Sequence, residues 1–147
     1  MKKEEWQDSY EIGHAHIDEH HKEIFELDTK LAAAIVQNKR SLLDEIIQYL
    51  EHYSEDHFKE EEDLMSLHNF EGLAIHQAEH SVFTAKIQAL RIMYDQQVHS
   101  THIVYGIRRF VDTLIKHIRR IDSQMAHLNM TTFGENLKGK PIQKEGL

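Results

Sequence analysis

The sequence has no cysteine. That excludes disulfides, thiolate metal sites and iron–sulfur clusters, and it leaves the compartment open. There is a single proline, Pro141, and only six glycines are spread over 147 residues. So few breakers favour long helices over strands and turns. No stretch approaches the roughly 18 to 20 apolar residues that a membrane span needs. No apolar run follows the opening Met1-Lys2-Lys3-Glu4-Glu5-Trp6, so no secretory signal is expected and a cytoplasmic location is the default. The net charge is -8 and no basic stripe is present, which argues against nucleic acid as a partner.

What remains is an ordinary soluble balance, 40% hydrophobic and 29% charged, at the size of one domain. The exception is histidine, of which there are 13. Composition alone does not separate a metal site from an incidental excess. Position does.

Apolar spacing of three, four and seven predicts four amphipathic helices. The first covers about 17–37, with Ile17, Ile24, Phe25, Leu31 and Ile35 inward and Asp18 favourable to the helix dipole. Ser41 is the expected N-cap of a second helix running to about residue 65, with Leu43, Ile46, Ile47, Leu50, Phe58 and Leu64 inward. The third covers about 72–94, on Leu73, Phe83, Ile87, Leu90 and Tyr94. The fourth covers about 102–128, on Ile103, Ile107, Phe110, Leu114, Ile118 and Ile121. Four such helices with short connections predict an all-α, up-down-up-down antiparallel four-helix bundle. Trp6, Tyr10 and Ile12 suggest an ordered N-terminal arm. The expected bundle spans 1–130, and 131–147 is expected to be an irregular tail.

The inner stripes carry residues that a plain core would not. His21 lies four after Ile17 and four before Phe25. His57 and Glu61 share a face with Leu50 and Leu64. His76 and His80 interrupt the stripe from Leu73 to Phe83, and His117 continues Phe110 and Leu114. Asp122 lies four after Ile118, on the flank. One inward histidine is unremarkable. Five, together with two carboxylates, would be a costly core, because an unpaired buried carboxylate costs several kcal/mol or more. A cation cluster removes the conflict by turning these groups into ligands.

The donors are nitrogen and oxygen, and imidazole suits iron, zinc, copper and nickel. Seven ligands are too many for one ordinary ion. If both carboxylates bridge two ions, and one oxo or hydroxo group joins them, an ion with three histidines is six-coordinate. Its neighbour with two histidines keeps one position open for a small molecule. Histidine outnumbers carboxylate here, unlike the bundle di-iron site built on four glutamates and two histidines. Fewer anionic ligands support high-valent iron less, which favours reversible oxygen binding over oxygen cleavage. One spacing fits poorly. His117 and Asp122 are five apart, about 140° round an ideal helix, so either Asp122 reaches from the flank or the helix is distorted there, as by a π-bulge.

These residues form motifs that resemble those of the hemerythrins, most closely the bacterial ones. Ile17-Asp18-Glu19-His20-His21-Lys22 is similar to the family's I-D-x-x-H-K, and His57-Phe58-Lys59-Glu60-Glu61-Glu62-Asp63-Leu64-Met65 to H-F-x-x-E-E-x-L-M. His76-Gln77-Ala78-Glu79-His80 matches H-x-x-x-H, and His117-Ile118-Arg119-Arg120-Ile121-Asp122 matches H-x-x-x-x-D. Trp6 and Ile12-Gly13 look like the family's N-terminal arm.

The resemblance implies two iron ions bridged by an oxo or hydroxo group, with His76, His80 and His117 on one and His21 and His57 on the other. Glu61 and Asp122 would bridge, and dioxygen would bind at the iron held by His21 and His57. Leu114, one turn before His117, is expected in the apolar wall of the oxygen pocket. The first reading is therefore an oxygen carrier, store or donor to an oxygen-consuming enzyme, without enzymatic activity of its own. An oxygen or redox sensor acting through a signalling partner comes second, a di-iron peroxidase or oxygenase third, and a structural zinc bundle last. His14, His16, His20, His52, His68, His99, His102 and His127 are expected in solvated or indirect roles. Arg108-Arg109 and Arg119-Arg120 read as a solvated basic face.

Overall fold

A computed structural model describes residues 5–128. The expected tail at 131–147 and the boundary at 130 lie outside the described residues. Seven α-helical segments follow in order: α1 (Ala15–Phe25), α2 (Leu27–Gln37), α3 (Arg40–His52), α4 (Phe58–Leu67), α5 (Leu73–Asp95), α6 (Ser100–Arg120) and α7 (Met125–Leu128). No strand occurs among the described residues, and none of their helices is long and apolar enough to cross a membrane.

These segments make four long helical bodies, because two of the predicted helices are interrupted rather than broken. The first turns tightly at Glu26, where Glu26 N–H bonds to Glu23 O and Thr29 N–H to Glu26 O. Beyond this break the apolar phase shifts, so Ile35, expected inward, is 48% exposed. The second body, α3 with α4, contains one π-helical turn at Tyr53–His57, closed by Phe58 N–H on Tyr53 O. The extra residue in that turn lets both His57 and Phe58 face the interior. Asn38, in the left-handed region with φ 51°, closes α2. α3 then begins at Arg40, so Ser41 lies within the helix and is not its cap. Arg40 ties this end of the bundle together by donating to Tyr94 O, Val98 O and Ser100 Oγ.

Each body packs against the next, and α1 and α2 return to pack on α6. The apolar core is divided in two. The larger cluster includes Ile24, Leu50, Phe58, Phe83, Leu114 and Ile118. The smaller one holds Ile12, Ile17, Leu64, Met65 and Met125, with Phe70 and Leu73 against it. Along the chain, every body passes from one cluster to the other through a histidine or a carboxylate: His21 between Ile17 and Ile24, Glu61 between Phe58 and Leu64, His76 and His80 between Leu73 and Phe83, His117 and Asp122 between Leu114 and Met125. A polar layer therefore crosses the bundle.

Upstream of α1, Trp6 packs edge-on against Tyr10 and Phe25. Asp18 does more than complement a helix dipole. It is buried, and its carboxylate accepts from Ile12 N–H at 2.9 Å and Gly13 N–H at 3.2 Å. Those bonds hold the turn at Gly13, whose φ is 91°. Asp18→Ala orphans both donors and is expected to cost about 1–3 kcal/mol in urea unfolding. Asp63→Ala, on an exposed side chain, should change stability by about 0.5 kcal/mol or less.

Candidate metal centre

All seven side chains singled out from the stripes meet in the polar layer. His21, His57, Glu61, His76, His80, His117 and Asp122 are each at most 4% exposed. α1 brings His21, the end of the π turn brings His57, α4 brings Glu61, and α5 brings His76 and His80 from successive turns. α6 brings His117. The i,i+5 problem at Asp122 is solved by the end of the helix. α6 stops at Arg120, Ile121 N–H closes on His117 O, and Asp122 opens a 3-10 turn, Asp122–Gln124. The tightened backbone carries the carboxylate back to His117. The π turn lies on the second body instead.

The five imidazoles all present Nε2 to the two carboxylates, and the carboxylates share them in an ordered way. Glu61 Oε2 lies 2.7 Å from His21 Nε2 and 2.9 Å from His57 Nε2. Its other oxygen, Oε1, lies 3.2 Å from His80 Nε2. Asp122 Oδ1 lies 2.9 Å from both His76 Nε2 and His117 Nε2. Its Oδ2 lies 3.3 Å from His21 Nε2. Each carboxylate thus turns one oxygen towards His21 and His57 or His21 alone, and the other towards members of the trio His76, His80 and His117.

Four of the five Nδ1 atoms point outwards to partners that fix the rings, while His21 Nδ1 is buried without a hydrogen bond. His80 Nδ1 meets Glu62 Oε2 and His117 Nδ1 meets Glu79 Oε1, both at 2.7 Å. His76 Nδ1 donates to Gly72 O, and His57 Nδ1 meets His20 Nδ1 at 3.0 Å. Aromatic faces hold the planes: Phe58 stacks on His80 and Tyr53 on His57. Sequence reasoning missed Glu62, Glu79 and Tyr53 in these roles, while the contact of His20 with His57 is one of the indirect roles expected for it. Glu62 is the second glutamate of the H-F-x-x-E-E motif, and that was its available signal. Leu114 is fully buried on α6, one turn before His117, in the larger apolar cluster.

Electrostatics inside the layer favour opposite charges side by side. Burial alone would lower the His21 pKa, but Asp122 and Glu61 outweigh it and raise it from 6.5 to about 10. Burial likewise opposes His117, and Asp122 with Glu79 raises it to about 9. Burial would push the Glu61 carboxyl up, yet the His57 charge and its contacts with His21, His57 and His80 hold it well below the usual carboxylate range. Burial and the Glu61 charge would raise Asp122, and His117, His21 and His76 hold it below that range.

Protons alone do not satisfy the layer. Among the described residues, Glu61 Oε1, His80 Nε2 and His117 Nε2 are buried and make no hydrogen bond, although a partner atom of the opposite kind lies close to each. Orphaned polar atoms of this sort are what a cation would satisfy. Ligands about 2.0–2.2 Å from a common ion at right angles stand about 3 Å apart, the spacing of these contacts. Two overlapping groups have metal-holding spacing: His21, His57 and Glu61, and Glu61, His80, His117 and Asp122. The residues present therefore fit two cations.

Residues 13–128 match the family model of the hemerythrin HHE cation binding domain. The chain belongs to the hemerythrin family. It is 32% identical over 127 residues to a bacteriohemerythrin of Clostridium acetobutylicum, covering 81% of this chain and 95% of that protein. A bacteriohemerythrin of Stenotrophomonas maltophilia is 30% identical over 130 residues, with coverage of 84% and 83%. A myohemerythrin of Riftia pachyptila is 29% identical over 119 residues, with coverage of 80% and 86%. No solved structure gives a comparable match.

Glu62 and Glu79 orient a hemerythrin-family cluster from outside, so their loss should be felt in metal affinity. Glu62→Ala and Glu79→Ala are each expected to weaken iron(II) binding about 10- to 100-fold. Glu55→Ala, on an exposed side chain, should leave it unchanged in the same equilibrium dialysis.

Proposed function

We propose that this hemerythrin-family chain holds two iron ions in the polar layer and binds dioxygen reversibly. His76, His80 and His117 would hold one ion, and His21 and His57 the other, with Glu61 and Asp122 contributing one oxygen to each. The observation that carries this reading is the division of the carboxylate oxygens between the two histidine groups. A carboxylate serving one ion would not need to face both. An oxo or hydroxo bridge would complete the three-histidine ion and leave the two-histidine ion one position short. In this reading the four bodies run up-down-up-down, and the residues before α1 form an N-terminal arm over Phe25.

Iron ions held by these residues would supply reversible two-electron chemistry toward dioxygen. The chain supplies the surroundings. Five imidazoles, neutral once they are ligands, and only two carboxylates would bring little negative charge, which disfavours high-valent iron and hence cleavage of the oxygen–oxygen bond. Glu62, Glu79 and the Gly72 carbonyl keep protons on the outward Nδ1 atoms, so the Nε2 lone pairs stay aimed inward. Leu114, on the apolar side of the layer, is the wall that keeps water from the open position. The apolar clusters above and below restrict access by solvent and protons. Carriage, storage or delivery of oxygen is the function that this arrangement supports best.

Purified chain should contain about two irons per molecule, the number that seven nitrogen and oxygen donors with shared carboxylates accommodate. After anaerobic reduction, air should produce a visible charge-transfer band that disappears when oxygen is removed. One iron, no iron or zinc alone would contradict the reading. Irreversible oxidation with no oxygenated form would favour a sensor or an enzyme instead. His76→Ala should lower the iron content and His68→Ala should not.

A further inference from the structure

The polar layer uses five of the chain's histidines, and a second donor group lies beside it at the surface. His16 and His20 are four apart on α1, with ring centroids 4.2 Å apart. Glu60 reaches them from α4, its Oε2 2.7 Å from His16 Nδ1. One ligand atom from each of the three residues lies within 4.8 Å of the other two. The side chains of His16 and Glu60 are 63% and 29% exposed, so an ion can reach them from solvent. His20 is half-buried and joins the surface to the layer through the 3.0 Å contact between its Nδ1 and that of His57.

We propose that His16, His20 and Glu60 form a capture site for a divalent first-row transition-metal ion, filled ahead of the buried cluster. The proposal rests on the two-iron reading of that cluster. Two imidazoles and one carboxylate suit such an ion. They leave its remaining positions to water, as an ion arriving from solution requires. The buried ligands are almost without exposure, so an ion bound for them must exchange water for protein donors on the way.

The site adjoins the buried cluster: His20 is next to His21 on α1, and its Nδ1 meets that of His57.

The test is anaerobic uptake of limiting iron(II) by the metal-free full-length chain, followed by stopped flow, with iron per chain counted at the end. His16→Gln and Glu60→Gln should each slow uptake about tenfold, the lower end of what local ion enrichment contributes to an on-rate. The final iron count should stay at the wild-type value. His52→Gln, on an exposed histidine of α3, should load at the wild-type rate. His16→Gln tests the loss of a ligand without removing a carboxylate charge. Loading at the wild-type rate in both variants overturns the proposal. So does a fall in the final count, which would make these residues supports of the buried cluster. A wild-type chain that takes up no iron overturns both this proposal and the two-iron reading.

Discussion

Two carboxylates shared among five imidazoles, in a layer closed off from water, set the terms for the rest of this molecule. Neither Glu61 nor Asp122 could stay ionised there alone, since an unpaired buried charge costs several kcal/mol of a net stability of only about 5–15 kcal/mol. Each is instead surrounded by nitrogen atoms about 3 Å away. Four helical bodies have to converge to bring those nitrogens together. The layer also splits the apolar core into two clusters, and these then carry the packing on either side. The local distortions of the chain serve the same end. The π turn before Phe58 faces His57 inward, and the early end of α6 folds Asp122 back.

Support for the layer comes from outside it. Glu62, Glu79 and the Gly72 carbonyl hold three rings by Nδ1, while Phe58 and Tyr53 stack on two. His57 differs, because its outward partner is another histidine with a free second nitrogen. That substitution of imidazole for an oxygen acceptor is what connects the buried layer to His16 and Glu60 on the surface. Binding chemistry and metal supply would then share one helix, with His20 next to His21 on α1.

The helices and the seven inward polar residues were legible because a period of 3.6 assigns each residue a face. A histidine among isoleucines and leucines is conspicuous on such a stripe. What was not legible depended on where the period fails. Nothing in the apolar pattern marks the tight turn at Glu26, so Ile35 was assigned to a face that had already rotated to solvent. The poor fit of Asp122 to an ideal helix was visible, and its cause was not, since periodicity does not locate a helix end. Glu62, Glu79 and Asp18 look like ordinary surface charges in sequence. Only the structure shows which imidazole or backbone N–H each one meets. Family membership, which the motifs suggested, is carried by the match over residues 13–128.

The central claim is that Glu61 and Asp122 each serve two metal ions at once. Anomalous diffraction at the iron edge from crystals of the loaded chain tests it most directly. The account predicts two peaks inside the polar layer, one among His76, His80 and His117 and the other between His21 and His57, with an oxygen of each carboxylate on each peak. A single peak, or two peaks with Glu61 or Asp122 bound to only one of them, would contradict it.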